Sequence, residues 1–140
     1  MITKTIKYTD YNGVEREETH YFNLSKQEVI NMENSVNGGF SSLLAKIVEQ
    51  QDAQAVMAEF NKLIDASYGQ KSLDGRRFIK TPELLQEFKE TEAYSEFIVG
   101  LLSDPDAALA FVNGIMPITQ EDAQKIMAEQ SNKGFINELK

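Results

Sequence analysis

The chain has 140 residues, and 22 acidic against 14 basic side chains give it a net charge of -8. This length predicts a single domain, residues 1–140, and the lack of cysteine excludes disulfides, thiolate catalysis and zinc sites built on thiolates. The acidic balance argues against binding to duplex nucleic acid, and the absence of a long apolar run or a secretion signal favours a soluble protein of a reducing compartment with no membrane contact.

Residues 1–23 are predicted to form a β-hairpin, because Thr, Ile and Tyr dominate the segments on either side of a turn sequence. Two turns are compatible with that sequence. One is a two-residue turn at Asn12-Gly13, and the other is a three-residue loop with Gly13 in a left-handed bulge. We favour the three-residue loop, which pairs Asp10 with Val14, because Asp is typical of the first position of a type I turn.

Residues 24–130 are predicted to be helical, and residues 131–140 to form a polar tail. Good helix-capping residues precede a series of apolar stripes at helical spacing. The predicted caps are Ser25, Asp52, Thr81, Thr91 and Thr119, and a further short helix is predicted to start at Ser103-Asp104-Pro105. The fold class is therefore mainly α (α+β), with an N-terminal β-hairpin followed by a compact bundle of about six short helices. We expect the hairpin to be the only substantial sheet.

The inward faces of these helices predict the hydrophobic core. Apolar residues recur at three- and four-residue spacing in each helix, which places them on one side. The stripe before residue 50 ends at Val48, and the stripe before residue 103 ends at Leu102. The predicted core residues are Leu43, Leu44, Ile47, Phe60, Leu63, Ile64, Leu85, Phe88, Phe97, Ile98, Leu101 and Phe111.

No catalytic, cofactor-binding or metal-binding residue is predicted. Nucleophilic catalysis needs a nucleophile beside a base, and the single histidine, His20, lies inside a predicted strand, where we interpret it as a surface or rim residue. One imidazole cannot form a metal cluster, and the glycines do not fall into a phosphate-binding pattern. The many paired carboxylates are typical of solvated helix faces and helix N-termini.

Residues 67–80 form the one segment that differs from the rest, because they hold four of the 14 cations of an acidic chain and show no strand or helix period. One interpretation is structural, with Gly69 as a left-handed helix cap, Asp74-Gly75 as a turn and the cations near helix carbonyls. The other is a docking loop, because Arg beside aromatic residues is typical of interfaces. We expect Arg77 to be the more structural of the arginine pair, and Arg76 the more exposed. The hypothetical partner-binding residues are Tyr68, Lys71, Arg76, Arg77 and Phe78.

This segment, S-Y-G-x-K-S-x-D-G-R-R-F-I-K, also carries a resemblance to a known family. With T-I-K-Y-T-D-Y-N-G and F-N-L-S-K before it, and T-E-A-Y-S-E-F and A-A-x-A-F-V-N-G-I-M-P after it, the chain resembles the tail assembly chaperones of long-tailed phages and prophages of Gram-positive hosts. The likeness covers about residues 1–117.

The resemblance implies a non-enzymatic late protein of the host cytoplasm that needs no cofactor. Such chaperones coat the long helical tape measure protein before the tail tube polymerises around it, and this chain resembles the short form of a frameshifted pair. The tail tube protein and further copies of the chain are additional candidate partners. The alternative function is a structural virion component, such as a head–tail connector or a tail completion protein.

Overall fold

The computed structural model describes residues 1–35, 39–50 and 52–116. Its strands are β1 (Ile2–Thr9), β2 (Glu15–Phe22), β3 (Tyr68–Lys71) and β4 (Phe78–Ile79). Its helices are α1 (Lys26–Ser35), α2 (Gly39–Glu49), α3 (Ala53–Ser67), α4 (Pro82–Lys89), α5 (Glu92–Ser103) and α6 (Pro105–Gly114). The hairpin followed by short helices confirms the predicted α+β fold class. The predicted cap Thr119, helix 120–130 and tail 131–140 lie outside the described residues.

The N-terminal hairpin has the predicted three-residue loop. Asp10 N donates to Val14 O at 2.9 Å, and Gly13 has a left-handed φ of 79°. The Asp10 carboxylate accepts the backbone N–H of Val14 at 2.9 Å and the Arg16 guanidinium at 2.7 Å. These bonds, with that of Arg16 first, lower the pKa of Asp10. The register therefore sets Ile2 opposite Phe22.

The hairpin is not the only sheet, so that expectation was wrong. Residues 68–71 and 78–79 form a second hairpin, and the two join in an antiparallel sheet of order β1-β2-β3-β4. β3 pairs with β2 at only two positions, Tyr21 with Gly69 and Phe22 with Tyr68. Gly69 is therefore a strand residue and not the left-handed cap that we expected.

The helices begin where the capping residues predict. Ser25 and Glu28 form a reciprocal capping box, with Glu28 N donating to Ser25 Oγ at 3.2 Å and Ser25 N donating to Glu28 Oε1 at 2.9 Å. Thr91 precedes α5 as predicted, but its hydroxyl donates to a carbonyl in the last turn of α4 instead of accepting an N–H. Two further predicted caps, Asp52 and Thr81, accept backbone N–H groups with their side chains. Asp104 does the same at the start of α6, within the predicted helix start.

The core lies between the helices and one face of the sheet. Phe22 is fully buried, and its ring meets Phe97 at 4.9 Å and the edge of Phe111 at 5.6 Å between ring centroids. Ten of the twelve predicted core residues are buried, and the other two, Leu44 and Leu85, are partly buried against the core. The two stripe ends Val48 and Leu102 are exposed, because each lies at the edge of its helix face.

The described chain closes on itself near residue 115. Leu24 N donates to Ile115 O at 2.9 Å, just before α1 and just after α6. Gly114 faces Ile2 so closely that a Cβ at this position would lie 2.9 Å from Ile2 Cδ1. The two ends of the described chain are therefore held together by backbone and side-chain contacts.

Within the described ranges, no single helix has the length and apolar character that crossing a bilayer requires. The pair α5 and α6 passes that test jointly, but the two are bent by 114° where they meet.

Candidate partner-binding site

The segment that stood out in the sequence is the second hairpin, and residues 72–77 form the loop at its tip. The Asp74 carboxylate accepts the Ser72 hydroxyl at 2.6 Å and the Arg76 N–H at 3.0 Å. Those two bonds lower the pKa of Asp74, the hydroxyl contributing most. Gly75 has a left-handed φ of 73°, which confirms the predicted Asp74-Gly75 turn. The 72–77 loop therefore satisfies much of its own backbone polarity.

The cations of this loop point into solvent. Arg76 is exposed and lies 3.8 Å from the Asp74 carboxylate, a distance at which a solvated ion pair contributes little stability. Arg77 is also exposed, and its guanidinium contacts no acidic side chain within residues 1–35, 39–50 and 52–116. The backbone of Arg77 closes the loop, because Arg77 N donates to Ser72 Oγ at 3.0 Å and Ser72 N donates to Arg77 O at 2.9 Å. The more structural role expected for Arg77 stays a prediction. Leu73, which lies between β3 and the two arginines in the sequence, is fully exposed.

The other three predicted site residues pack on the sheet. Tyr68 is buried with its ring stacked on Phe88 at 4.4 Å between centroids, and burial raises its pKa. Phe78 is half-buried and covers Gly69, where a Cβ would lie 2.7 Å from the Phe78 ring. The Lys71 ammonium lies 5.0 Å from the centre of the Tyr21 ring. Tyr68 and Phe78 thus support the hairpin, and Lys71, Arg76 and Arg77 are its accessible charges.

Lys80 anchors the base of the second hairpin. Its ammonium donates to both oxygens of Glu28, at 2.7 and 2.8 Å. Burial alone would raise the pKa of Glu28, but the hydrogen bonds from Lys80 and Ser25 outweigh it and lower that pKa. The sequence shows that Lys80 is one of the cations of this segment, but no local pattern indicates that its partner is Glu28, 52 residues earlier.

An open groove of about 790 Å³ separates the two hairpins where β2 and β3 diverge. Its walls include Glu18 and His20 of β2 and, on the other side, the chain from Gln70 to Gly75. His20 is mostly buried, against the expectation of a surface or rim position, and its ring lies 4.7 Å from that of Phe88. Burial lowers the pKa of His20, and the nearby Glu18 opposes that shift.

His20 and Tyr68 line this groove with rings that pack on Phe88. Burial disfavours the charged forms of both His20 and Tyr68, which fits their packing against Phe88. No group of three or more potential metal ligands gathers anywhere in the part of the chain that the structure describes. The second hairpin exposes a hydrogen-bonded loop, its cations and Leu73 to solvent.

Comparison with known proteins adds one finding. No curated protein and no solved structure matches the chain. The family model described as phage tail assembly chaperone matches residues 1–138, which is nearly the whole chain and extends beyond the part that carried the resemblance. The chain therefore belongs to the phage tail assembly chaperone family, which has a non-enzymatic role in building phage tails.

Proposed function

We propose that the protein binds the tape measure protein during tail morphogenesis, in the cytoplasm of a Gram-positive host. The observation that carries this proposal is the family match over residues 1–138. Coating a long helical protein before the tube forms requires exposed recognition groups and no reaction chemistry. The tail tube protein and further copies of this chain are secondary partners in the same proposal.

The contact surface that we propose is the second hairpin, with Lys71, Arg76, Arg77 and the exposed Leu73 facing the partner. Four cations of an acidic chain lie between residues 71 and 80, and among the described residues only Lys80 of these is held by a close carboxylate, at 2.7 Å. Tyr68 and Phe78 do not face the partner in this proposal; they hold β3 and β4 in place by packing on Phe88 and Gly69. Because the loop backbone is already ordered by its own hydrogen bonds, binding costs little backbone entropy there, and the remaining cost is the ordering of the side chains, about 0.5–1.5 kcal/mol each.

A double variant, Arg76→Ala with Arg77→Ala, tests this surface. We expect it to melt like the wild type, because exposed ion pairs are worth only about 0–1 kcal/mol. We expect it to retain clearly less of the long helical protein of the same gene cluster in a co-expression pull-down. The matched control is Lys62→Ala, which removes an exposed cation from α3.

The outcomes separate the surface from the function. If both variants retain the tape measure protein equally, the hairpin is not the contact surface. If the wild type itself retains none, tape measure binding is wrong. Mass spectrometry of purified virions distinguishes the alternative, because an assembly chaperone is absent from the finished particle, whereas a head–tail connector or completion protein is present.

A further inference from the structure

The strand β2 has a free edge that borders the groove between the two hairpins. β2 pairs with β1 along its whole length, but with β3 only at Tyr21 and Phe22. The same register would next bring Thr19 opposite Lys71, and there the two strands have already diverged around the groove of about 790 Å³. Within the described residues, no strand pairs with this side of residues 15–20. We call residues 15–20 the open edge of β2.

The backbone polar groups of alternate residues point into the gap. Asp10 N donates to Val14 O at 2.9 Å, which directs the even-numbered residues of β2 toward β1. The odd-numbered residues therefore direct their N–H and C=O groups toward β3 and the gap. On the far wall, Ser72 bonds with Arg77 across the second hairpin, so Lys71 directs its own backbone groups toward β2. Among the described residues, both walls thus present backbone groups without a strand partner, and an extended segment can be added at such an edge.

The side chains along the open edge of β2 are acidic. Glu15, Glu17 and Glu18 lie within four residues of each other. Arg16, between them, is already bound to the carboxylate of the hairpin turn at 2.7 Å, and Lys7 lies 3.9 Å from Glu17 in a solvated pair that contributes little. The open edge therefore keeps a negative charge. Basic side chains on an added strand would balance this charge, whereas the same edge of a second copy would be repelled by it.

The other exposed edge of the sheet has the opposite charge. β1 is the outermost strand on its side of the described sheet, and it carries Lys4 and Lys7 without an acidic residue. Lysines on an edge strand are one of the ways in which proteins discourage further pairing. A basic segment is therefore repelled by β1 and attracted by β2, so the charge of the occupant selects between the two edges.

We propose that the open edge of β2 binds an extended basic segment of a partner protein by strand addition. Main-chain hydrogen bonds to Glu17 and Thr19 hold the segment, and lysines or arginines at every second position face Glu15 and Glu17 on the outer face of the sheet. The intervening side chains point to the inner face, where the His20 ring packs on Phe88. This inference goes beyond tape measure binding, because the open edge and the tip loop 72–77 are different surfaces.

An NMR titration of the full-length protein with the end-blocked peptide V-T-V-K-V-K tests the proposal. At saturation, we expect the amides of Glu17 and Thr19 to exchange roughly threefold or more slowly. The even-numbered residues of β2 should change little, because they already bond to β1. Absence of binding, or slower exchange at the odd-numbered residues of β1 instead of those of β2, would overturn the proposal.

Two control peptides separate strand addition from attraction by charge alone. One is V-T-V-E-V-E, and the other is the lysine peptide methylated on the backbone nitrogens of its threonine and lysines, which removes the donors of the main-chain bonds. We expect both to bind at least tenfold more weakly than the lysine peptide. Equal binding of either control contradicts strand addition by a basic segment.

A charge-neutralised variant tests the acidic edge itself. We expect Glu15→Gln with Glu17→Gln to bind the lysine peptide about three- to tenfold more weakly, because two cross-strand charge pairs are lost. The matched control is Glu49→Gln with Glu90→Gln, which removes the same charge from two exposed positions at helix ends. Equal loss in both variants would mean that only the net charge matters, and the proposal would be wrong. These peptide measurements need no tape measure protein, so their result is separate from that of the pull-down.

Discussion

His20 is the residue whose surroundings differ most from what its neighbours in sequence suggest. The stretch before it is acidic and exposed, yet its ring lies 4.7 Å from Phe88 and 5.9 Å from Tyr68 between centroids. Its Nε2 is buried, has no hydrogen-bond partner within the described residues and lies 3.7 Å from Glu18 Oε1. A histidine placed in this way is easier to bury neutral than charged.

This burial makes stability depend on pH. The pKa of His20 is lower in the folded protein than its ordinary value of 6.5, so the unfolded chain binds the proton more readily. The stabilisation is complete above about pH 6.5 and is lost as the pH falls from there towards the folded pKa, at up to about 1.4 kcal/mol per pH unit. Urea unfolding at pH 7.5 and 5.5 measures this loss. We expect His20→Phe to reduce it, and an unchanged pH dependence in that variant would contradict the assignment.

Among the elements, the second hairpin depends on few contacts for its position. It shares only two residue pairs with β2, and the bond from Lys80 to Glu28 ties its base to the start of α1. Glu28 therefore serves two elements, because the same carboxylate completes the capping box of α1. Removal of the Lys80 ammonium should therefore affect both the capping box of α1 and the position of the second hairpin.

Lys80→Met should lower the free energy of unfolding by about 1–2 kcal/mol, because a partly buried, doubly bonded carboxylate loses its cation. Exchange of the β3 and β4 amides should also become faster, since the hairpin loses its anchor. The control is Lys26→Met, which removes an exposed lysine of α1 that forms no ion pair among the described residues and should cost under about 0.5 kcal/mol. Equal costs for the two variants would mean that the Lys80 bond has no special role.

The elements also separate what the sequence could predict from what it could not. Caps such as Ser25 with Glu28 act within one turn, so their signal is local and their positions were predicted. β3 and β4 have 4 and 2 residues, too few to show a period, and β3 exists because Phe22, far away in sequence, pairs with Tyr68. A local sequence pattern cannot indicate a pairing partner that lies this far away in the chain.

For the whole molecule, the helical stripes predicted ten of the 21 buried apolar residues in the described part of the chain, and they missed the part that the sheet supplies. Phe22 lies at the centre of an aromatic cluster, yet a single buried end of an otherwise polar strand gives no periodic signal. The candidate site was also predictable only in part, for the same reason. The charges of Arg76 and Arg77 were visible in the sequence, whereas the stacking of Tyr68 on Phe88 depends on tertiary packing.

Leu63→Ala tests the core at this scale. Leu63 is fully buried, so the lost burial and the cavity should cost about 2–5 kcal/mol of unfolding free energy. Met57→Ala, on the same helix but 40% exposed, should change it by only about 0.5 kcal/mol. Chemical denaturation of both variants gives the comparison. A small effect at Leu63 would mean that the α3 stripe does not form the core.

The closure between residues 24 and 115 has a consequence for synthesis on the ribosome. The first hairpin emerges early, but Ile115, whose carbonyl receives the Leu24 N–H, follows 91 residues later. At roughly 5–20 residues per second, that partner arrives several seconds after the hairpin. β1 and β2 can pair with each other at once, but Phe97 and Phe111, which pack on Phe22, are made much later. The inner face of the hairpin is therefore left without its helical cover while most of the chain is made.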